Sequence, residues 1–182
     1  MTNQNIILTG FMGTGKTTVG RLLAAELGYV FVDTDKLIAQ RAGKPVSVIF
    51  AEDGEAVFRD WEAQIATELA QERRLVIATG GGLMLSERNA DTLQEHGVVF
   101  CLTAKPKEIV KRVKQSGHRP LLDVDDPQER VEALLAEREA TYRRYPQMNT
   151  SGRAPQKVVK EIVKALAQGA EQEVVGGGEA DA

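Results

Sequence analysis

The chain has a single cysteine, Cys101, among 182 residues. No internal disulfide can form, and no cysteine-based zinc site can be assembled. That suits a reducing compartment, and a cytoplasmic protein is the expectation. Long apolar runs are also missing. After a polar start, Ile6, Ile7 and Leu8 give way at once to Thr9 and Gly10. The run is too short for the apolar core of a signal peptide or for a membrane span, so no membrane partner is expected. Nor is there a strong excess of charge: 23 basic residues face 26 acidic ones, for a net charge of −3. Four of the acids (Glu171, Glu173, Glu179 and Asp181) lie beyond Gln168, where there is no Lys or Arg. The chain up to Gln168 therefore carries 23 basic and 22 acidic residues, a net charge of +1. A nearly neutral body argues against a dedicated nucleic-acid surface. It leaves room for local basic clusters facing a small anion.

What is present is ordinary globular material. Hydrophobic residues make up 42% and charged residues 27%, enough for the core of one compact domain. Short apolar runs alternate with longer helical patterns. Asn5–Thr9, Tyr29–Asp33, Leu75–Thr79 and Val98–Leu102 read as strands. Helices are expected at Lys16–Leu27, Thr34–Arg41, Ser47–Ala51 and Glu55–Gln71. Further helices are expected from Ser86 to His96 and over Pro106–Gln115, Pro127–Tyr145 and Pro155–Ala167. Strands that are apolar throughout and separated by helices predict a three-layer α/β/α fold. Its central parallel sheet would have about five strands. A fifth strand is due after Tyr145, yet Pro146-Gln-Met-Asn-Thr-Ser-Gly152 offers only Met148 as an apolar residue, so that strand should be short or frayed. Residues 1–168 then form one domain, and the acidic, Gly-rich segment 169–182 reads as disordered.

Gly10-Phe-Met-Gly-Thr-Gly15-Lys16-Thr17 fits the phosphate-binding pattern G-x-x-x-x-G-K-[ST], between a strand and a helix. At average glycine usage the pattern arises by chance in on the order of 1% of chains this long, so a nucleotide triphosphate site is the stronger reading. The glycines let backbone N–H groups turn toward phosphate oxygens, and the helix N-terminus adds partial positive charge. Gly13, Thr14, Gly15, Lys16, Thr17 and Thr18 are the candidate ATP contacts. Lys16 should reach the β- and γ-phosphates, and the Thr17 hydroxyl should serve Mg²⁺.

Two more groups fall at strand ends, where a parallel sheet forms its ligand crevice. Asp33 and Asp35 alternate around Thr34. One carboxylate could serve Mg²⁺ and the other an acceptor hydroxyl; a plain helix cap is the competing reading. Gly80-Gly81-Gly82 permits close backbone approach and offers unshielded N–H donors, or is simply a flexible turn. Arg59 and Arg138, on separate helices, could clamp a carboxylate bidentately; alone, each would pass for a solvated charge. Cys101 reads as a small core residue and His96 as a helix-end residue. His118 reads as a loop residue, and Lys111 and Lys114 as part of a solvated basic face.

Taken together, the segments resemble the shikimate kinase family. GFMGTGKTT at Gly10–Thr18, FVDTDKLI at Phe31–Ile38 and IFAEDGEAVFRDWE at Ile49–Glu62 carry the likeness. TGGG at Thr79–Gly82, RPLL at Arg119–Leu122 and REATYRRY at Arg138–Tyr145 complete it, over about Asn5 to Ala167. The resemblance implies a monomeric P-loop kinase that uses ATP and Mg²⁺ to phosphorylate the 3-hydroxyl of shikimate. It implies that Asp35 holds and deprotonates the acceptor hydroxyl, and that Arg59 and Arg138 bind the shikimate carboxylate. Glu62 would orient Arg59, and Gly80, Gly81 and Gly82 would contact the ring hydroxyls. Phe50 and Phe58 would wall the pocket, within an acceptor-binding region of about residues 34–62. Thr17 and Asp33 would serve Mg²⁺. Arg119 would close over the phosphates from a mobile lid at about residues 114–126, and Arg112, Arg153 and Pro155 would flank the adenine. The rival readings are a gluconate-type or nucleoside monophosphate kinase, and a nucleotide-binding module without transfer activity.

Overall fold

The computed structural model describes residues 3–115 and 125–176, with side chains placed as far as residue 169. The greater part of the expected lid, with Arg119 and His118, lies outside the described residues, as does the chain from 177 onward.

Five parallel strands form one sheet in the order β2-β3-β1-β4-β5. They are β1 (Asn5–Thr9), β2 (Val30–Asp33), β3 (Leu75–Ala78), β4 (Gly97–Thr103) and β5 (Gln147–Asn149). The helices are α1 (Lys16–Leu27), α2 (Thr34–Ala42), the single turn α3 (Val46–Val48) and α4 (Gly54–Gln71). They continue with α5 (Glu87–Gln94), α6 (Pro106–Gln115), α7 (Pro127–Tyr142) and α8 (Pro155–Gly176).

Strand periodicity divides the interior into two cores. Side chains alternate between faces along a strand, so Ile7, Ile77, Val99 and Cys101 face a layer containing Ile65, Leu69, Ile109, Val131 and Leu134, which α4, α6 and α7 contribute. Ile6, Leu8, Val76, Phe100 and Leu102 face the other way, onto Val19, Leu23, Val158 and Ile162 of α1 and α8. Burying both faces accounts for strands with no polar alternation. Cys101 is fully buried, and burial pushes its thiol up to about 11, as a core residue requires.

Most element boundaries fall within a residue or two of the sequence expectation, and three differences have a physical reason. α7 stops at Tyr142 rather than Tyr145, because Pro146 disfavours helical backbone at the residue before it. Arg144 and Tyr145 then tighten into a final turn, their N–H groups donating to the carbonyls of Thr141 and Tyr142. α8 continues past Ala167 to Gly176, so residues 169–176 are helical rather than disordered. One glycine inside a helix costs only about 1 kcal/mol, and the Ala, Glu and Gln that follow Gly169 favour helix. Residues 49–53 widen into a π-helical turn before α4. β5 is three residues long with only Met148 buried, as the polar sequence around it predicts.

Candidate active site

The phosphate loop, the Asp33–Asp35 pair and the three glycines lie at the carboxyl ends of β1, β2 and β3. The loop after β1 hugs the sheet: a Cβ on Gly10 would collide with the Leu102 carbonyl of β4, so only glycine allows that approach. Gly15 caps α1 with φ of 97°, which turns the loop's amides toward the helix N-terminus. Lys16 Nζ donates to the carbonyls of Gly10 at 2.7 Å and Phe11 at 2.9 Å, holding the ammonium over the loop. Gly13 and Gly15 lie within the loop, and Thr18 is exposed on the first turn of α1. The Thr14 side chain turns inward instead, buried and bonded to the Phe11 carbonyl at 2.7 Å.

The residues expected beside the adenine collect on the β5 side. Arg112 of α6 donates to Thr150 Oγ1 and to the Thr150 carbonyl, both at 2.9 Å, to Glu108 at 2.8 Å and to the Gly13 carbonyl at 3.3 Å. Thr150 Oγ1 in turn donates to the Thr14 carbonyl at 2.9 Å. Arg153 donates to the Asn149 carbonyl and pairs with Glu161, and Pro155 opens α8. The loop after β5 is thus tied directly to the phosphate loop. Thr150, with no motif around it to mark it, makes that tie.

Asp33 and Asp35 lie against different neighbours. Asp33 Oδ1 caps α2 by accepting from the Lys36 amide at 3.3 Å, while Oδ2 accepts from Thr17 Oγ1 at 3.0 Å. One carboxylate thus caps α2 and also bonds to the hydroxyl of Thr17 in the first turn of α1. A hydroxyl and a carboxylate oxygen together, beside a phosphate loop, form a donor set that fits Mg²⁺, which takes few protein ligands and shares substrate oxygens. No cluster of three His, Cys, Asp or Glu suited to a metal occurs among the described residues.

Asp35 lies beside the three glycines that follow β3. A Cβ on Gly80 would strike Asp35 Oδ1. One on Gly81 would lie 3.5 Å from Arg138 Nη1, and one on Gly82 would lie 2.5 Å from Arg59 Nη1. Each glycine thus backs one functional side chain. The buried Thr34 hydroxyl accepts from the Gly80 amide at 2.8 Å, which locks the end of β3 to the start of α2. Arg138 packs over the Phe11 ring at 5.4 Å and donates to the Gly81 carbonyl at 3.3 Å. Arg59 is held from two sides. Its Nη1 donates to Glu62 at 2.6 Å, and its Nε and Nη2 donate to Glu55 at 3.2 and 2.8 Å.

Glu62 is 1% exposed and its Oε1 has no hydrogen-bond partner among the described residues. Burial pushes this carboxyl above its ordinary range. The Arg59 bond and charge oppose that rise, and the Asp35 and Glu55 charges add to it. For Arg59, burial works against the charge, but the bonds to Glu62 and Glu55 outweigh it and hold the guanidinium up. Phe58 is buried and Phe50 exposed, their ring centroids 4.6 Å apart. The arrangement brings a carboxylate and two guanidinium groups to the three glycines, with a pair of aromatic rings on the same helix as Arg59 and the turn before it.

A family model described as shikimate kinase matches residues 12–167. The chain belongs to the shikimate kinase family. The shikimate kinase of Thermodesulfovibrio yellowstonii is 44% identical over 162 residues, covering 88% of this chain and 94% of that protein. That of Pelotomaculum thermopropionicum is 50% identical over 139 residues, 76% of this chain and 81% of that one. Among solved structures, shikimate kinase from Acinetobacter baumannii in complex with shikimate has 35% identity and a TM-score of 0.87, over 92% of this chain and 95% of that one. A gluconokinase from Sinorhizobium meliloti aligns with a TM-score of 0.63 at 20% identity, over 96% and 97%, a likeness of fold alone. Shikimate kinases are ATP-dependent phosphotransferases, so this family member is an enzyme with ATP as phosphate donor.

Proposed function

We propose that this chain transfers the γ-phosphoryl group of ATP to the 3-hydroxyl of shikimate, giving shikimate 3-phosphate and ADP. The observation that supports this most is the row Gly80, Gly81, Gly82, against which Asp35, Arg138 and Arg59 are set one by one. A base beside two guanidinium groups suits a substrate that carries both a hydroxyl and a carboxylate. A gluconate-type acceptor also has both, but the relatives at 44% and 50% identity are shikimate kinases.

In this reading the shikimate carboxylate docks on Arg138 and on the edge of Arg59 now occupied by exposed Glu55. Glu62 keeps the other side of Arg59 in place, and Phe50 and Phe58 wall the ring. Asp35 accepts the proton of the 3-hydroxyl as its oxygen bonds to the γ-phosphorus. The bond from that phosphorus to the β–γ bridging oxygen breaks, and ADP leaves with the electron pair. Phosphoryl transfer needs positioning and charge dispersal more than covalent help. The loop amides, Lys16 and the α1 N-terminus serve the phosphates, and Arg112, Arg153 and Pro155 serve the adenine. The family resemblance assigns Arg119, which lies outside the described residues, to the phosphates. Thr17 and Asp33 hold Mg²⁺, which supplies neutralisation of phosphate charge.

We read the enzyme as a monomer, as the family resemblance implies. A cytoplasmic location suits the buried thiol of Cys101. No helix among the described residues is long and apolar enough to cross a membrane. The direct test is ADP release from ATP and Mg²⁺ with shikimate, with gluconate and with neither. Release that depends on shikimate is expected; release with gluconate alone would transfer the assignment to the gluconate-type reading.

A further inference from the structure

We propose that Tyr142 is a positioning residue for the acceptor, its hydroxyl holding the Gly81 carbonyl so that the Arg138 guanidinium is free to take the acceptor's carboxylate. The inference rests on the shikimate reading of this crevice.

The Gly81 carbonyl receives two donors from α7, Tyr142 Oη at 3.0 Å and Arg138 Nη1 at 3.3 Å. The two residues are four apart on the helix and so share one face. They differ in what else they can do. Tyr142 is 5% exposed, with its ring packed in the core that α4, α6 and α7 share. Its phenol has one proton, and that proton is given to Gly81. Burial, against the opposing charge and hydrogen bond of Arg138, pushes the phenol up, so it stays a donor at neutral pH. Arg138 is half-buried and carries a five-donor fork that matches a carboxylate bidentately.

Were Arg138 the carbonyl's only partner, each docking of a carboxylate would strip a hydrogen bond from a part-buried oxygen. Leaving such a group unmade is costly, whereas an intact second donor removes the competition. The same grip aims the next amide. In a trans peptide the C=O of one residue and the N–H of the next point in opposite directions, and the described chain has no cis bond. With its carbonyl drawn to α7, the Gly81–Gly82 peptide turns the Gly82 N–H away from that helix.

The test is Tyr142→Phe, which removes only the hydroxyl, made in wild type and in an Arg138→Ala background. Steady-state kinetics would be measured by varying shikimate at saturating ATP, and then the reverse. One lost hydrogen bond to a part-buried carbonyl corresponds to about a tenfold rise in the KM for shikimate, with little change in kcat or in the KM for ATP. In the Arg138→Ala background the added change should fall below about twofold, because coupled partners are not additive. An unchanged KM for shikimate, an equal rise in the KM for ATP, or the full tenfold effect without Arg138 would each overturn the role. Tyr142→Met, which fills the space without a hydroxyl, carries the same comparison should the Phe variant be unstable. Absence of shikimate-dependent turnover in wild type would instead overturn the reading of the site itself.

Discussion

Adding one methyl group at each of the three glycines perturbs the acceptor crevice in a graded way. None of the three has a φ in the left-handed region, so alanine meets no backbone strain and the outcome depends on what the new Cβ touches. At Gly82 that atom would lie 2.5 Å from Arg59 Nη1, and ordinary contact begins at 3.4 Å. The guanidinium must therefore retreat by about 0.9 Å, out of its 2.6 Å bond with Glu62. The displaced atom ends a flexible side chain, so the fold should lose little. A misplacement of about 1 Å in a positioning group can nevertheless cost on the order of 100-fold in rate. Gly82→Ala should thus raise the KM for shikimate by between about tenfold and 100-fold. At Gly80 the atom displaced is the Asp35 carboxylate, so Gly80→Ala should act on kcat. At Gly81 the contact is 3.5 Å, already ordinary, and Gly81→Ala should change either constant by less than about threefold, the scale of a surface substitution. A coupled assay of ADP release with shikimate titrated at saturating ATP separates the three. Equal effects at all three positions, or the largest at Gly81, would refute the pairing of one glycine with one side chain.

Asp35→Asn should lower kcat steeply with the KM for ATP near normal. Asp33→Asn, bonded as it is to Thr17, should instead raise the Mg²⁺ concentration required; superimposable Mg²⁺ titrations of the two variants would refute the division. Because the folded-state pKa of Glu62 is raised, the folded protein holds that proton more tightly than the unfolded chain does. Its contribution to stability is therefore greatest in acid, and is lost as pH rises from the ordinary carboxylate range through the raised value. Glu62→Gln should gain in melting temperature relative to wild type as pH rises through that window, while its KM for shikimate increases. A gain that shrinks with rising pH would contradict the sign.

The phosphate loop was legible because glycine spacing, a preceding apolar run and a following helix must coincide for that turn to form. Parallel topology followed from strands without polar alternation, and the weakness of β5 from the lone Met148. Strand-end placement singled out Asp35 and Gly80–Gly82, but grouping them with Arg59 and Arg138 rested on the family resemblance. Asp35, Arg59 and Arg138 converge on Gly80–Gly82 from elements far apart in the chain, and no local pattern encodes that meeting. Local capping and site chemistry also looked like alternatives at Asp33, whereas one carboxylate oxygen accepts from the Lys36 amide and the other from the Thr17 hydroxyl. Thr34, Thr150 and Tyr142 were missed because each bonds to a backbone group distant in sequence: Thr34 to the Gly80 amide, Thr150 to the Thr14 carbonyl, Tyr142 to the Gly81 carbonyl. For Tyr142 a signal did exist, its i+4 spacing from Arg138. The extension of α8 shows the opposite failure. Glycine and acidic composition suggested an unstructured end, but the Ala, Glu and Gln following Gly169 outweigh one glycine.

The most direct measurement is a calorimetric titration of shikimate, and of an analogue lacking the carboxylate, into wild type, Arg59→Ala and Arg138→Ala. Removing one partner of a desolvated charge pair costs about 2–5 kcal/mol, and each 1.4 kcal/mol is about tenfold in affinity. Each variant should therefore bind shikimate roughly 30-fold or more weakly and ATP normally. The analogue should bind wild type weakly and lose little further in the variants. Loss of the carboxylate that weakens binding equally in wild type and in both variants would contradict the clamp.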